Sequence, residues 1–405
     1  MSKVLWHLGA FLMAVFIVIV TVFLGQDFLK YTVYYHDENQ LVEEDFIYEP
    51  NYESNHVNIS VLQRYLSTGR IVIFGSSEIT ANSHKYIPQN FFNQELDIDL
   101  TAFGHAGQQC LAILSQLAAY YNKELHNNAK IVIILSPGWF DTKRTSMSSF
   151  LEYMPQRLLE KLYFKSEVGE KYKLWISRYL KKNIHKIKQP SAIHYIVSNY
   201  NPNHSFSTLL QELPYKVDFL IKRMLFGNEG TLQGVVPKTY QTVSTDWENW
   251  SKEAFEIEKS KVTTNHYSIN DPYFNQYVKP EIAKGKFPFK VRSVPEVREN
   301  EEYQDFLRLV KFGKLLKTKP LFIMQNLNPH AYQELEKYHD ILNEIKTTLE
   351  SNGFEYLDMW SWNKKDYVDG SLTDVMHMGE LGWVQVDKAI YDYFIQGKMK
   401  NENDN

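Results

Sequence analysis

Residues 71–79 read Ile-Val-Ile-Phe-Gly-Ser-Ser-Glu-Ile. The first four are apolar and mostly β-branched, as in a buried parallel strand. The small residues Gly75, Ser76 and Ser77 follow and predict a turn. Reactive groups in open α/β sheets lie at the carboxyl ends of strands, so a serine here is a candidate nucleophile. The alternative is an ordinary tight turn or the N-cap of a helix.

Further apolar runs and helical patterns predict the rest of the fold. Leu114, Leu117, Ala118 and Tyr121 share one helical face. Strand–helix alternation of this kind predicts an α/β fold with a doubly wound parallel sheet of about five strands. The other strands are predicted at residues 98–103, 130–135, 320–324 and 355–359, and later helices at residues 330–349, stopped by Gly353, and 380–395.

The alternation divides the chain into predicted regions. Residues 69–140 and 301–397 are expected to form the α/β core. Residues 141–300 lack the alternation and predict a large helical insertion that borders the active-site crevice. Residues 26–68 are rich in Tyr, Asn, Asp and Glu and predict a stalk, and residues 4–25 predict a transmembrane anchor.

The anchor is predicted from charge and length. Residues 8–25 contain no charged side chain, and the apolar run extends back to residue 4. About 20 such residues span the roughly 30 Å hydrocarbon core of a bilayer. A cleaved signal peptide is the alternative, but the run ends Val-Phe-Leu-Gly-Gln-Asp, a poor cleavage site. Lys3 before the span and Asp27, Asp37 and Glu38 after it favour a cytoplasmic N-terminus and an extracytoplasmic catalytic domain.

Composition narrows the function. The 405 residues are 44% hydrophobic, which predicts a packed core, and the net charge of −4 argues against a nucleic-acid-binding protein. The lone Cys110 cannot form an intramolecular disulfide and is read as a core residue. The sequence has no His/Cys/Asp/Glu cluster at metal-ligand spacing and no Walker A or Rossmann glycine motif. We therefore predict neither a metal nor a cofactor.

Residues 374–377 read Asp-Val-Met-His and supply the partners that a serine needs. A serine hydroxyl near neutral pH requires a base, and the base requires a group that fixes its tautomer. We predict Ser77 as the nucleophile, His377 as the base and Asp374 as the orienting acid. Either motif alone is common by chance, so the hypothesis depends on their joint occurrence in the first and last blocks of an α/β pattern.

This layout resembles the SGNH (GDSL-like) hydrolase superfamily. Its Gly-Asp-Ser block corresponds to Phe-Gly-Ser-Ser-Glu at residues 74–78, where Ser77 matches the nucleophile and Ser76 replaces the aspartate. If the register shifts by one residue, Ser76 becomes the nucleophile. With the N-terminal anchor, a Ser-Pro-x-Trp-Phe block and the closing Asp-x-x-His-x-x-x-x-Gly-Trp, the chain resembles the DltD family over essentially its whole length.

The resemblance implies a role and partners. DltD proteins take part in esterifying teichoic acids with D-alanine outside Gram-positive bacteria. The implied partners are teichoic acid, a membrane O-acyltransferase of the same system and, further upstream, a D-alanyl carrier protein. The resemblance also implies an oxyanion hole formed by the Ser77 N–H, Gly104 and Gly138. An amide side chain is expected at the last position, and one lost donor costs about 2.7–4 kcal/mol of transition-state stabilisation.

Three functions follow as hypotheses. The first is a membrane-anchored serine acyltransferase or esterase that transfers D-alanyl groups to teichoic acid. The second is a non-catalytic accessory protein, which the glycine at position 138 favours, and the third is a thioesterase that clears mischarged carrier protein.

Residues 157–188 hold ten Lys or Arg against three Glu. They form either a solvated helix face or a docking surface for a polyanion or an anionic membrane.

Overall fold

The computed structural model describes residues 55–80, 84–104, 106–141, 146–154, 156–164, 166–186 and 239–397, and the single residue Met13. These residues belong to two compact units. The smaller holds residues 59–61 and 170–186, and the larger holds the rest of the described chain from residue 55 onward. The predicted anchor, apart from Met13, and residues 26–54 of the predicted stalk lie outside the described residues. Among the described residues, no helix has the length and apolarity to cross a membrane.

Five parallel strands form the central sheet of the larger unit, in the spatial order Leu100–Phe103, Ile71–Phe74, Lys130–Leu135, Leu321–Met324 and Tyr356–Asp358. Ile71 pairs with Leu100 on one side and Lys130 on the other, and Val132 pairs with Leu321. The prediction of a five-stranded parallel sheet is confirmed. The strands among the described residues are β1 (Ile71–Phe74), β2 (Leu100–Phe103), β3 (Lys130–Leu135), β4 (Phe289–Lys290), β5 (Leu321–Met324), β6 (Tyr332–Gln333) and β7 (Tyr356–Asp358).

Helices and short turns connect these strands. In the part of the chain that the structure describes, the helices are α1 (Asn55–Thr68), α2 (Pro88–Glu95), α3 (Cys110–Tyr120), α4 (Lys123–Asn128), α5 (Met147–Tyr153), α6 (Gln156–Phe164), α7 (Glu170–Asn183), α8 (Trp247–Ser260), α9 (Asp271–Tyr273), α10 (Lys279–Ala283), α11 (Glu301–Gly313), α12 (His339–Ser351) and α13 (Glu380–Phe394). One π-helical turn, Phe274–Val278, joins α9 to α10. Single 3-10 turns lie at Ser77–Thr80, Pro137–Trp139, Ile184–Lys186 and Leu335–Tyr338.

Both faces of the sheet are covered. On one face, Ile73 and Ile323 belong to a core that also contains Phe91 of α2 and Trp383 of α13. On the other face, the ring of Phe322 lies 5.9 Å from that of Phe306 in α11. Strands buried on two sides need apolar residues at every position, which explains the continuous apolar runs in the sequence.

Helix α8 lies within the predicted insertion and packs on the first of these faces. Ala254 is part of the same core, and the ring of Trp250 lies 4.9 Å from that of Phe91. Aromatic pairs at this distance add to the stability that area burial gives. This part of the chain therefore supports the sheet.

The helix predicted at residues 330–349 is wrong at its start. The Asn328 side chain accepts the N–H of His330, and the Asn328 carbonyl accepts the N–H of Tyr332. This local turn competes with a helix. The next residues form β6, which pairs with β4, so α12 begins only at His339. The predicted stop at Gly353 is confirmed by its φ of +64°.

Candidate active site

Ser77 lies in the turn that leaves β1, and His377 lies in the loop before α13. The Oγ of Ser77 and the Nε2 of His377 are 3.2 Å apart. On the other side of the ring, Nδ1 of His377 is 2.8 Å from Oδ2 of Asp374. The fold thus brings the three residues predicted from the sequence into one hydrogen-bonded chain, although 300 residues separate the serine from the histidine.

Asp374 is fixed by its own loop. Its Oδ1 accepts the N–H groups of Met376 and His377, at 2.8 Å and 2.9 Å. An ionised carboxylate only accepts hydrogen bonds, so Nδ1 carries the proton in the neutral His377 ring. Nε2 is then the unprotonated nitrogen, and it faces Ser77. This tautomer can accept the serine proton.

The surroundings of His377 favour its charged form. The hydrogen bond that His377 donates to Asp374 raises the pKa of His377 above the usual 6.5, although burial works in the opposite direction. The charges of Asp374 and Glu78 raise this pKa further. An imidazolium that forms at His377 during a reaction is therefore stabilised by two carboxylates.

Ser76 and Ser77 have different neighbours. The Oγ of Ser76 accepts the N–H of Gly107 at 3.2 Å, and Ser76 is buried. Its backbone N–H donates to Oε1 of Glu78 at 2.6 Å. Ser77, not Ser76, therefore lies within hydrogen-bond distance of His377.

Glu78 is a feature of the site that the sequence reasoning missed. The side chain is 2% exposed, and burial raises the pKa of its carboxyl group. The carboxylate closes the turn through the Ser76 N–H and acts electrostatically on His377. The signal in the sequence is an acid directly after two serines at the end of a buried strand.

Gly104 ends β2 beside the Ser77 turn. Its φ is +143°, and a Cβ atom there would lie 2.1 Å from Oε1 of Gln108 and 2.3 Å from the carbonyl oxygen of Gly75. Only glycine fits at this position, because backbone atoms on the two strand ends are in close approach. Its predicted place in an oxyanion hole stays a prediction.

Gly138 follows β3 in the 3-10 turn Pro137–Trp139. A Cβ atom at this position would meet only Oγ of Ser136, at 3.8 Å. The position therefore has room for a side chain but carries no side-chain donor. The oxyanion contribution predicted for Gly138 also stays a prediction.

A sequence model of the family described as DltD protein matches residues 49–395. The chain belongs to the DltD family. Two relatives named Protein DltD are similar to it over most of their length. The one from Staphylococcus aureus (strain NCTC 8325 / PS 47) is 24% identical over 348 residues, which cover 84% of each chain. The one from Bacillus subtilis (strain 168) is 26% identical over 339 residues, which cover 81% of this chain and 83% of the relative.

In this DltD-family chain an aromatic cluster supports one side of the His377 loop. Val375 is buried in it, and Met376 packs against it. Asn328 ties the loop to the cluster, because its N–H donates to the Val375 carbonyl at 3.0 Å and its Nδ2 donates to the Tyr267 carbonyl at 2.8 Å. We define the aromatic cluster as Tyr267, Ile269, Tyr273, Phe274, Val278, Phe287, Phe289, Ala331, Tyr332, Val375 and Met376.

Buried polar groups support the other side of the loop. Nδ1 of His84 lies 3.3 Å from Oε1 of Glu380 and 3.7 Å from Oε1 of Glu258. This group has the spacing of metal ligands. However, Nζ of Lys261 lies 2.7 Å from Glu258 and 3.7 Å from Glu380, so an ammonium group already compensates the two carboxylates. We assign no metal to it.

The basic segment at residues 157–188 carries less available charge than its sequence indicates. Lys161 is buried and donates to Gln63. Lys173 is also buried and lies 3.4 Å from Glu170. Two of the ten cations therefore have buried side chains with polar partners, and a docking role for this segment stays a prediction.

Proposed function

We propose that this chain is a serine-dependent O-acyltransferase or esterase that acts in the D-alanylation of teichoic acids. Membership in the DltD family supports a role in the D-alanylation of teichoic acids. The observation that carries the chemistry is the hydrogen-bonded chain from Ser77 through His377 to Asp374, with distances of 3.2 Å and 2.8 Å. As part of the proposal, the N-terminal segment anchors the protein in the membrane, and the site lies outside the cell.

The proposed reaction has two half-reactions. In the first, Nε2 of His377 removes the proton from Oγ of Ser77 as that oxygen attacks the carbonyl carbon of a D-alanyl ester or thioester. A bond forms between Oγ and the acyl carbon, the bond to the leaving group breaks, and His377 returns the proton to that group. In the second, a teichoic acid hydroxyl loses its proton to His377 as its oxygen attacks the acyl carbon. The bond between that carbon and Oγ breaks, and His377 returns the proton to Oγ, which regenerates Ser77.

The donor in this proposal is supplied by partners. A membrane O-acyltransferase of the Dlt system would bring the D-alanyl group across the membrane, after activation on a carrier protein in the cytoplasm. Transfer between two esters is near thermoneutral, so the step at Ser77 needs no nucleotide. Asp374 keeps the His377 tautomer correct in both half-reactions.

One observation favours a second candidate, a non-catalytic accessory protein that holds teichoic acid or the acyltransferase. Gly138 offers no side-chain amide where the superfamily pattern places one. A missing donor costs about 2.7–4 kcal/mol of transition-state stabilisation. If no other donor replaces it, the site is slow, and holding a chain would be its main role.

A fluorophosphonate probe, which reacts covalently with activated serines, separates the two candidates. We expect the purified full chain to be labelled, and labelling to disappear in Ser77→Ala and His377→Ala. Ser76→Ala is the matched control and should keep labelling within about tenfold, since its hydroxyl does not contact His377. Circular dichroism confirms that each variant is folded. An unlabelled wild-type chain would favour the accessory role, whereas labelling that persists in Ser77→Ala would show that a different serine is the nucleophile.

A further inference from the structure

Residues 279–292 form an exposed basic strip next to the aromatic cluster. They contain five basic residues and one acid, Glu281, in a chain with a net charge of −4. Lys284 pairs with Glu281 at 2.7 Å. The other four make no ion pair with any residue that the structure describes. The basic residues of this strip, all exposed, are Lys279, Lys284, Lys286, Lys290 and Arg292.

Strand geometry aligns two of these cations. Phe289 is half-buried and Val291 is buried, whereas Lys290 and Arg292 are exposed. Successive residues of an extended chain point to opposite sides, so the two cations lie on the outer side about 7 Å apart. The Val291 N–H donates to the Gln333 carbonyl at 3.4 Å, which carries the β4–β6 pairing past Lys290. The result is a pair of exposed cations on the same side of this segment.

The strip is joined to the catalytic loop by packing. The ring of Phe289 lies 5.7 Å from that of Tyr332. The Phe289 N–H also donates to the carbonyl of Ala331, at 2.8 Å. Ala331 and Val375 are buried in the same aromatic cluster, and Val375 lies between Asp374 and His377 in the chain. The strip therefore keeps a fixed position relative to His377.

The acids around the strip have partners of their own. Glu334 acts electrostatically with Lys290 but also pairs with Lys337. Asp141 lies near Arg292, and its carboxylate accepts the hydroxyl of Tyr338 at 2.5 Å. These groups reduce the positive potential of the strip but leave an excess of cations on an exposed surface.

We propose that the basic strip binds a linear phosphodiester polymer and leads its hydroxyl groups to Ser77. The inference deepens the proposed function and rests on it, because the polymer is the acyl acceptor. Exposed cations, four of them without an ion pair to any described residue, match a chain with one negative charge per repeat. The half-exposed rings of Phe287 and Phe289 and the exposed ring of Tyr277 offer apolar surface to the carbon segments between phosphates.

Binding of a fluorescent glycerol phosphate oligomer, followed by anisotropy, tests the inference on the full chain. We expect the triple variant Lys286→Gln/Lys290→Gln/Arg292→Gln to bind at least about tenfold more weakly than wild type. Lys311→Gln/Lys314→Gln/Lys317→Gln removes three exposed lysines elsewhere and should bind within about twofold of wild type. Wild-type affinity should fall as salt is raised.

Two results would overturn the inference. One is equal oligomer affinity of the two triple variants, with both folded by circular dichroism. The other is loss of binding to phosphatidylglycerol vesicles in the strip variant while oligomer binding is unchanged, which would make the strip a membrane-facing surface. Measuring the affinity of the Ser77→Ala chain for the oligomer separates this inference from the proposed function, because binding needs no reactive serine. Failed fluorophosphonate labelling would then refute the chemistry alone.

Discussion

The turns after β1 and β3 leave the same edge of the sheet, but the space around their glycines differs. After β1, a Cβ atom at Gly75 would lie 2.7 Å from Oε1 of Glu78, and one at neighbouring Gly104 would overlap the Gly75 carbonyl. After β3, a Cβ atom at Gly138 would meet only Oγ of Ser136, at 3.8 Å. One turn is closed by packing and a buried carboxylate, and the other is open.

The difference separates two requirements of the proposed chemistry. The nucleophile must stay within hydrogen-bond distance of its base, and tight packing around a turn limits its motion. The position where the superfamily pattern places an amide donor has no such constraint. We infer that packing around the turn fixes the orientation of Ser77. The polarisation of the acyl group lacks a side-chain donor at Gly138, so a substitution there can increase the rate.

The largest expected effect comes from replacing Asp374, the acid that holds His377 beside the closed turn. Asp374→Asn removes the charge that holds the His377 tautomer, so the rate of fluorophosphonate labelling should fall by about 10³–10⁴-fold. The loss of that carboxylate also lowers the pKa of His377. Labelling rates across pH measure both effects. Asp369→Asn, at an exposed aspartate in the same loop region, is the control and should leave labelling near wild type.

A glycine pair tests the comparison directly. Gly104→Ala combines a φ of +143° with a Cβ 2.3 Å from the Gly75 carbonyl oxygen, and we expect a loss of about 2–5 kcal/mol in the free energy of unfolding. Gly138→Ala meets no close atom and should change it by less than about 0.5 kcal/mol. Urea denaturation measures both. Equal losses at the two positions would contradict the contrast between a closed and an open turn.

The buried strands could be predicted from the sequence more accurately than the segments that connect them. β1 and β3 have the predicted bounds, because strands buried on both faces need an uninterrupted apolar run. The predicted start of α12 was wrong, because a turn at Asn328 and pairing with β4 replace the first predicted helical turns. Pairing with a distant strand leaves little local trace in the sequence.

The site shows the same limit. Local pattern nominated Ser77, His377 and Asp374, but the choice between the two serines depends on a contact across 300 residues. Glu78 was missed because its importance comes from burial and from its position relative to His377. An acid after a turn is usually solvated, so its position directly after two serines at the end of a buried strand is only a weak signal.

A substitution at Gly138, in the open turn, is expected to increase the rate of labelling. Gly138→Gln places an amide where the family resemblance implies one, in a position with room for it. We expect labelling by the fluorophosphonate probe to accelerate by about tenfold, less than the 10²–10³-fold that a preorganised donor gives. Gly138→Leu is the control of similar size without a donor. Equal rates in the two variants would mean that another group already supplies the donor.

The smallest effect concerns Glu78, whose charge raises the pKa of His377. Glu78→Gln keeps an oxygen that can accept the Ser76 N–H but removes the charge. His377 must be unprotonated to act as a base, and loss of the charge lowers its pKa. The acidic limb of the labelling profile should therefore move to lower pH, by less than about one unit, while the rate above pH 8 changes by only a few-fold.

This pH shift separates an electrostatic role for Glu78 from a purely structural one. If Glu78 only closes the turn, Glu78→Gln leaves the limb where it is, and Glu78→Ala lowers the rate equally at every pH because the Ser76 N–H loses its acceptor. Glu95→Gln, at an exposed acid in α2, controls for the change in net charge. A limb that moves equally in Glu78→Gln and Glu95→Gln would assign the shift to the overall field of the protein and leave the closed turn with a packing role alone.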